Sequence, residues 1–295
     1  MRSCLIFNPS ARGEKARALQ AGLKTWVGQC AVRLTSGPGH AQVLAAQAVR
    51  DGFGVIIAAG GDGTLNEVVN GIAEAPGGLG CAALGVLPLG TVNVFARELG
   101  IPWRVKEAWA VIGAGKETVI DLGLAEFGRN GERQRRHFIQ LAGAGIDSRA
   151  IELVSWELKK KFGPLAYVVA GLKAWRETRP LISVNVGEEA IGELALIGNG
   201  RYYGGSFPFF PRASLQDGMM EVCVFPKVGL APMAEAAFGM LTGRLDKMKS
   251  ARRLQAAVAE LASDKRVLLQ LDGENAGELP ARISIVPRAL RVIVP

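Results

Sequence analysis

Gly60-Gly61-Asp62-Gly63-Thr64 sets three glycines around one carboxylate. The apolar run Val55-Ile56-Ile57-Ala58-Ala59 precedes it, and a helical pattern through Leu65, Val68, Val69 and Ile72 follows. Strand, glycine loop and helix in that order put backbone N–H groups and a positive helix end where a phosphate can sit. Glycine is needed because a side chain would hold the phosphate away from the backbone. Asp62 adds a carboxylate able to hold Mg²⁺ or a metal-bound water beside that phosphate. The chain contains no Gly-x-x-x-x-Gly-Lys-Ser/Thr run, so the implied nucleotide site lacks the Walker lysine and a P-loop fold is excluded. Thr64 and Glu67 have the spacing of a capping box, a local helix-start role that leaves Asp62 and the glycines for the ligand.

A second acidic element, Asp272-Gly273-Glu274, follows the apolar run 266–271. Alternate residues of a strand share a face, so both carboxylates could point to one side as candidate bases for a hydroxyl proton. Taken alone, Asp272-Gly273 also reads as a turn, as does Asp217-Gly218. Cys4, Cys30, Cys81 and Cys223 form no Cys-x-x-Cys pair and stand far from His40 and His137. That spacing argues against a thiolate or imidazole metal cage and for small buried hydrophobes in a reducing compartment.

Elements that would position these residues recur through the first 123 residues. Cys4-Leu5-Ile6-Phe7 leads into Asn8-Pro9-Ser10-Ala11-Arg12-Gly13 and a helix with spacing Ala16, Leu19, Leu23. Leu84-Gly85-Val86-Leu87 leads into Pro88-Leu89-Gly90-Thr91 and a helix through Val94, Phe95 and Leu99 that Gly100 and Pro102 stop. With the Gly60 unit these make three strand–loop–helix units, hence a parallel sheet whose loops share one edge. Beyond Asp121 the pattern becomes mainly antiparallel β, in runs 119–127, 136–142, 181–186, 194–198, 219–225, 266–271, 282–286 and 290–294. Asn130-Gly131 reads as a turn, with the Arg-rich stretch after it favouring a loop longer than two residues. Helical patterns fall at about 149–177 and 230–242. Two domains are expected, 1–123 and 124–295.

Lys and Arg exceed Asp and Glu by 35 − 27 = 8 in 295 residues, a balance that attracts anionic partners. Aromatics make up 6%, too few to interleave with the basic residues as single-stranded nucleic acid requires, which favours a membrane surface. No apolar run reaches the roughly 20 residues of a membrane span and none has the form of a signal peptide, so a cytoplasmic protein touching membrane from the side is expected. The segment Ile151 to Arg179 holds Trp156, Lys159, Lys160, Lys161, Trp175 and Arg176 among aliphatics. It reads either as a basic helix lying on anionic headgroups or as an amphipathic helix packed on the β domain, broken at Gly163-Pro164.

The ordered set Phe7-Asn8-Pro9, Gly60 through Val68, Leu87-Pro88-Leu89-Gly90-Thr91-Val92-Asn93, Gly145-Ile146-Asp147, Gly198-Asn199-Gly200, Asp217-Gly218 and Leu271-Asp272-Gly273-Glu274 resembles the diacylglycerol kinase catalytic-domain family over nearly the whole chain. That family includes bacterial soluble lipid kinases and the sphingosine and ceramide kinases. The Gly-Gly-Asp-Gly core alone is shared with NAD kinases and phosphofructokinases. The resemblance implies an α/β nucleotide domain of NAD-kinase/phosphofructokinase type, a C-terminal β-sandwich domain and an active cleft between them. It implies ATP contacts from Asn8, Pro9, Ser10, Ala11, Arg12, Thr35, Gly60, Gly61, Asp62, Gly63, Thr64, Leu65, Asn66, Glu67 and Thr91. Thr35 reads equally as a strand-end turn. A proton acceptor is implied in the Asp-Gly-Glu element, Glu274 in the lead with Asp272 in support or as metal ligand. A structural Mg²⁺ is implied at Asp217, with carbonyls of Ser214 and Met219. Many bacterial members read Asn-Asp where this chain has Asn93-Val94, and valine binds no cation.

The expected activity is ATP-dependent phosphorylation of a lipid hydroxyl, on diacylglycerol or a sphingoid-like lipid. Its rivals are a kinase for a soluble substrate such as NAD and a catalytically silent lipid-binding relative. A homodimer is compatible with these expectations; nucleic acid is not an expected partner.

Overall fold

The computed structural model describes residues 2–9, 19, 30–145 and 180–295. Ser10, Ala11 and Arg12, the helix expected around Ala16 to Leu23 apart from Leu19, and the segment at 149–177 lie outside those residues. The chain divides into two units. One comprises Met1–Leu122, Gly204–Ser206 and Val286–Pro295, the other Gly123–Tyr203 and Phe207–Ile285.

In the first unit β1 (Ser3–Phe7), β2 (Cys30–Leu34), β3 (Val55–Gly60), β4 (Ala83–Pro88) and the end of β15 (Glu274–Ile293) run parallel, in the order β15-β4-β3-β1-β2. Every residue of β3 and β4 is buried, the signature of strands covered on both faces, and their apolar runs do not alternate for that reason. Helices among the described residues of this unit include α1 (His40–Arg50), α2 (Asp62–Glu74), α3 (Gly78–Cys81), α4 (Val94–Glu98) and α5 (Val105–Ala114). From β1 the chain moves to one side to form β2 and then returns to the other side to form β3. Such a reversal makes the loops leaving β1 and β3 diverge, and ligands of open α/β sheets bind in the crevice so formed.

The last ten residues, expected in the C-terminal domain, pack in this first unit instead. Arg291 and Val292 register with Ala83 and Leu84, the Val294 N–H donates to the Lys116 carbonyl at 2.8 Å, and the Arg288 N–H donates to Asp121 Oδ1 at 2.7 Å. An exposed edge of β4 would otherwise carry unpaired backbone groups. The runs at 282–286 and 290–294 are thus one strand.

The second unit is antiparallel. One sheet orders β12 (Arg252–Ala256), β11 (Met220–Phe225), β10 (Leu194–Gly198), β7 (Leu141–Gly145), β14 (Leu268–Leu271) and the start of β15. The other pairs Ala281–Ser284 of β15 with β13 (Val258–Ala262), then β8 (Ile182–Asn185) and β9 (Glu189–Gly192). Val222 and Val224 face the core between the sheets, while Cys223 and Phe225 point to the opposite face with Phe209, Phe210, Leu245 and Met248. This is the period of two, and each fully buried aliphatic contributes roughly 1.5–3 kcal/mol. The helix α6 (Leu230–Thr242) and a 3-10 turn at Leu245–Lys247 follow β11.

The Asn130-Gly131 loop is shorter than the charge run suggests. β5 (Glu117–Arg129) and β6 (Glu132–Phe138) pair up to Arg129 and Glu132. Both turn residues have left-handed φ, 53° and 82°, the two-residue hairpin turn that Asn-Gly favours. The arginines lie on β6, an edge where charge discourages further pairing. The four cysteines are free, Cys4 and Cys223 buried but Cys81 exposed, contrary to a uniform reading as buried hydrophobes. Burial pushes the Cys223 thiol up to about 12, as desolvation disfavours the thiolate.

Candidate active site

Three loops leave the carboxyl ends of β1, β3 and β4, and the backbone fastens them together. The Asn8 N–H donates to the Ala59 carbonyl at 3.1 Å, and its Nδ2 lies 3.3 Å from Thr64 Oγ1. The Leu89 N–H donates to the Gly60 carbonyl at 2.9 Å. Thr35, buried at the end of β2, donates its N–H to the Phe7 carbonyl at 3.0 Å. Asn8, Thr35, Gly60, Gly61, Thr64 and the Gly90 loop therefore form one cluster, at the strand reversal. Close approach requires glycine here: a methyl on Gly90 would stand 2.7 Å from the Gly61 Cα. Asn93 locks that loop from below, its Oδ1 accepting the Gly90 N–H at 2.9 Å and its Nδ2 donating to the Gly90 carbonyl at 2.7 Å. Its φ of 48° suits asparagine. Sequence reasoning quoted Asn93 within a motif without assigning it this task. Thr91 is exposed beside it.

The 13-residue α2 begins at Asp62, with Gly61 as its N-cap and no side-chain cap hydrogen bond among the described residues. Its positive end and the Gly60–Thr64 backbone are thus presented without a competing side-chain cap, as a phosphate cradle requires. The capping-box reading of Thr64 and Glu67 is overturned. Thr64 lies inside the helix, and Glu67 reaches the start of α1, Oε1 accepting the Gly39 N–H at 2.7 Å and Oε2 the Ala41 N–H at 3.0 Å. Helix-start donors prefer a charged acceptor, and such bonds contribute roughly 1.5–3 kcal/mol each. Leu65 and Asn66 are buried, and Asn66 accepts from Asn70 Nδ2 at 2.9 and 3.1 Å. The side chains of Leu65, Asn66 and Glu67 thus serve the fold in this structure.

Ser214, Asp217, Met219, Asp272 and Glu274 belong to the second unit. Asp272 is not on a strand, so the alternation expected for it fails. With Gly273 it forms the two-residue turn between β14 and β15, at φ 48° and 83°, and Leu271 pairs with Glu274 across it. Its carboxylate accepts three backbone N–H groups, from Ile139 at 2.8 Å, Gln140 at 2.8 Å and Leu141 at 3.0 Å. These bonds give the carboxylate a turn-fixing role. Asp272→Ala should therefore lower stability by roughly 3 kcal/mol, since those donors lose a charged acceptor. Urea unfolding reads this directly, and an unchanged midpoint would show that the three bonds contribute nothing to the fold.

Glu274 opens β15 with its carboxylate half exposed, 3.2 Å from Arg136 Nη2. Arg136 on β6 is a partner that sequence reasoning missed, since the pair is 138 positions apart. Asp217 Oδ1 accepts the Met219 N–H at 3.0 Å and Ser214 Oγ accepts the Gln216 N–H at 3.3 Å, so this loop is a turn stabilised by its own side chains. Among the described residues no group of three or more His, Cys, Asp or Glu could hold a metal ion. A lone carboxylate such as Asp62 or Asp217 fits a hard cation only with phosphate, carbonyl or water oxygens completing the set.

Residues 2–125 match the family model described as the diacylglycerol kinase catalytic domain, and residues 140–294 match the YegS C-terminal NAD kinase beta sandwich-like domain. This chain belongs to the diacylglycerol kinase catalytic-domain family. Among the relatives of this family member, a protein of Stenotrophomonas maltophilia named probable lipid kinase YegS-like is 32% identical, over 99% of this chain and 95% of the relative. A Staphylococcus saprophyticus protein named diacylglycerol kinase is 30% identical, over 100% and 95%. A solved diacylglycerol kinase structure from Bacillus anthracis, 24% identical, covers 100% of this chain and 97% of its own with a TM-score of 0.78, which shows the shared fold. The kinase family's two parts thus correspond to an α/β domain with parallel strands and a β-sandwich-like domain. A kinase family implies ATP as phosphoryl donor. No helix of the described residues is long and apolar enough to cross a membrane.

Proposed function

We propose that this chain is an ATP-dependent lipid kinase that transfers the γ-phosphoryl group to a hydroxyl of diacylglycerol or a sphingoid-like lipid. The observation that carries the reading is the uncapped start of α2 after Gly61, fastened to the loops after β1 and β4 by Asn8, Leu89 and Gly90. Such a preorganised set of backbone donors stabilises phosphate charge without reorganising during the reaction. Gly60–Thr64 would hold the phosphates, with Asn8, Thr35 and Thr91 lining the nucleotide. Glu274 would take the proton as the lipid oxygen bonds to phosphorus and the bond to the ADP oxygen breaks, with Arg136 fixing the orientation of its carboxylate. Bound Mg²⁺ would supply charge neutralisation at the phosphates. Asp62 is the residue to hold it, together with phosphate oxygens and water. A second, structural ion at Asp217 with the carbonyls of Ser214 and Met219 is part of the same proposal.

The names of the relatives support the lipid acceptor. Val94, half-buried at the start of α4, supports the rival reading of a silent relative, since it offers no cation ligand where many members carry aspartate. Labelled ATP and Mg²⁺ supplied with either a lipid extract or NAD, followed by thin-layer separation, distinguishes the three readings. Label in the lipid fraction is expected. Label in NAD alone would establish the soluble-substrate reading, and label in neither the silent one.

A further inference from the structure

Along its length α6 carries one charge, Glu235, and that carboxylate is spent on the protein itself. Its oxygens accept the backbone N–H groups of Lys249 and Ser250 at 2.8 and 2.9 Å, bonds that hold the carboxyl below its usual range. Only Gly239 of the helix is fully buried. The opposite side is apolar and open: Leu230 is 64% exposed, Met233 50%, Phe238 62% and Leu241 87%. At 3.6 residues per turn these positions fall on one face, so the exposed residues form a stripe. A stripe of this kind, without a covering element among the described residues, marks an interaction surface.

The ends of the stripe identify what it meets. Lys227 lies just before the helix, and Arg244, Lys247 and Lys249 just after it; all four are exposed, with Asp246 the one acid among them. We infer that this face of α6 docks on an anionic lipid bilayer, with its apolar side chains at the headgroup–acyl boundary and the four cations on anionic headgroups. An interfacial helix has this division, and each cation near an anionic surface adds about five-fold to binding. A second copy of the chain fits less well. A two-fold contact through α6 would bring the same cations together in either helix orientation, between chains of net charge +8.

The test is co-sedimentation of the full chain with vesicles of phosphatidylcholine plus phosphatidylglycerol, or of phosphatidylcholine alone, without nucleotide. Because no turnover is read, the outcome is separate from the kinase assignment. The wild type should pellet with the anionic vesicles. Phe238→Ser/Leu241→Ser should weaken this about ten-fold or more, and Lys247→Gln/Lys249→Gln about five-fold per cation on anionic vesicles only. These sites are exposed, so thermal unfolding of both variants should match the wild type. A wild type that stays in the supernatant, or variants that pellet like it, would overturn the proposal. So would a dimer in light scattering that the Phe238→Ser/Leu241→Ser change converts to monomer, which would assign the stripe to a second copy.

Discussion

Asp62→Asn should lower phosphoryl transfer by at least about a hundred-fold while leaving the fold intact. The size follows from the proposed role: a charged group beside the transferred phosphates, where single preorganised contacts are worth about a hundred- to a thousand-fold. The specificity follows from position. Asp62 is the first residue of α2, after Gly61, where its charge contributes only roughly 0.3–1 kcal/mol to the helix. Asparagine keeps nearly the same shape, so the Gly61–Gly90 approach is undisturbed. Steady-state rates with saturating ATP and Mg²⁺, beside thermal unfolding, separate the two effects. A fully active variant would reduce the glycine loop to a structural turn.

Glu221→Ala should cost roughly 3–5 kcal/mol of stability, the range for orphaning one half of a buried ion pair. Glu221 and Arg253 are paired with side chains 1% and 6% exposed. The other carboxylate oxygen accepts the Arg212 N–H at 2.9 Å, and the guanidinium donates to the Phe209 carbonyl at 3.2 Å and lies 5.3 Å from the Phe209 ring centre. These contacts tie β11 and β12 to the 207–213 segment. Loss of the glutamate leaves a buried cation and an unpaired amide. Urea unfolding should show the loss, and adding Arg253→Met should recover part of it because no charge then stays buried. A single variant losing under about 1 kcal/mol would show that water reaches the pair.

The parallel half of the fold was legible because β3 and β4 are unbroken apolar runs followed by glycine, and Leu230–Thr242 was legible because its pattern has a helical period. Partners distant in sequence were not. Thr64 and Glu67 have capping-box spacing, yet Glu67 finds stronger demand at Gly39 and Ala41, 28 and 26 positions away. Asp272 was read both as the end of a strand, because an apolar run precedes it, and as a turn with Gly273; the turn is what forms, and the partners of its carboxylate at 139–141 were the part that had no local signal. The return of Val286–Pro295 to β4 had no local signal, since a Val- and Ile-rich run suits either sheet. Strands β9, β12 and β13 were missed for a related reason: they carry Glu, Arg and Gln on their outer faces, with a short apolar complement.

Incubating the chain with ATP, Mg²⁺ and a panel of diacylglycerols, sphingoid bases and ceramides, then resolving products by mass spectrometry, tests the proposed lipid kinase activity itself. A lipid product heavier by one phosphoryl group, formed with ADP and absent with Asp62→Asn, is expected. Unchanged lipids across the panel, from a folded chain that binds ATP, would contradict it.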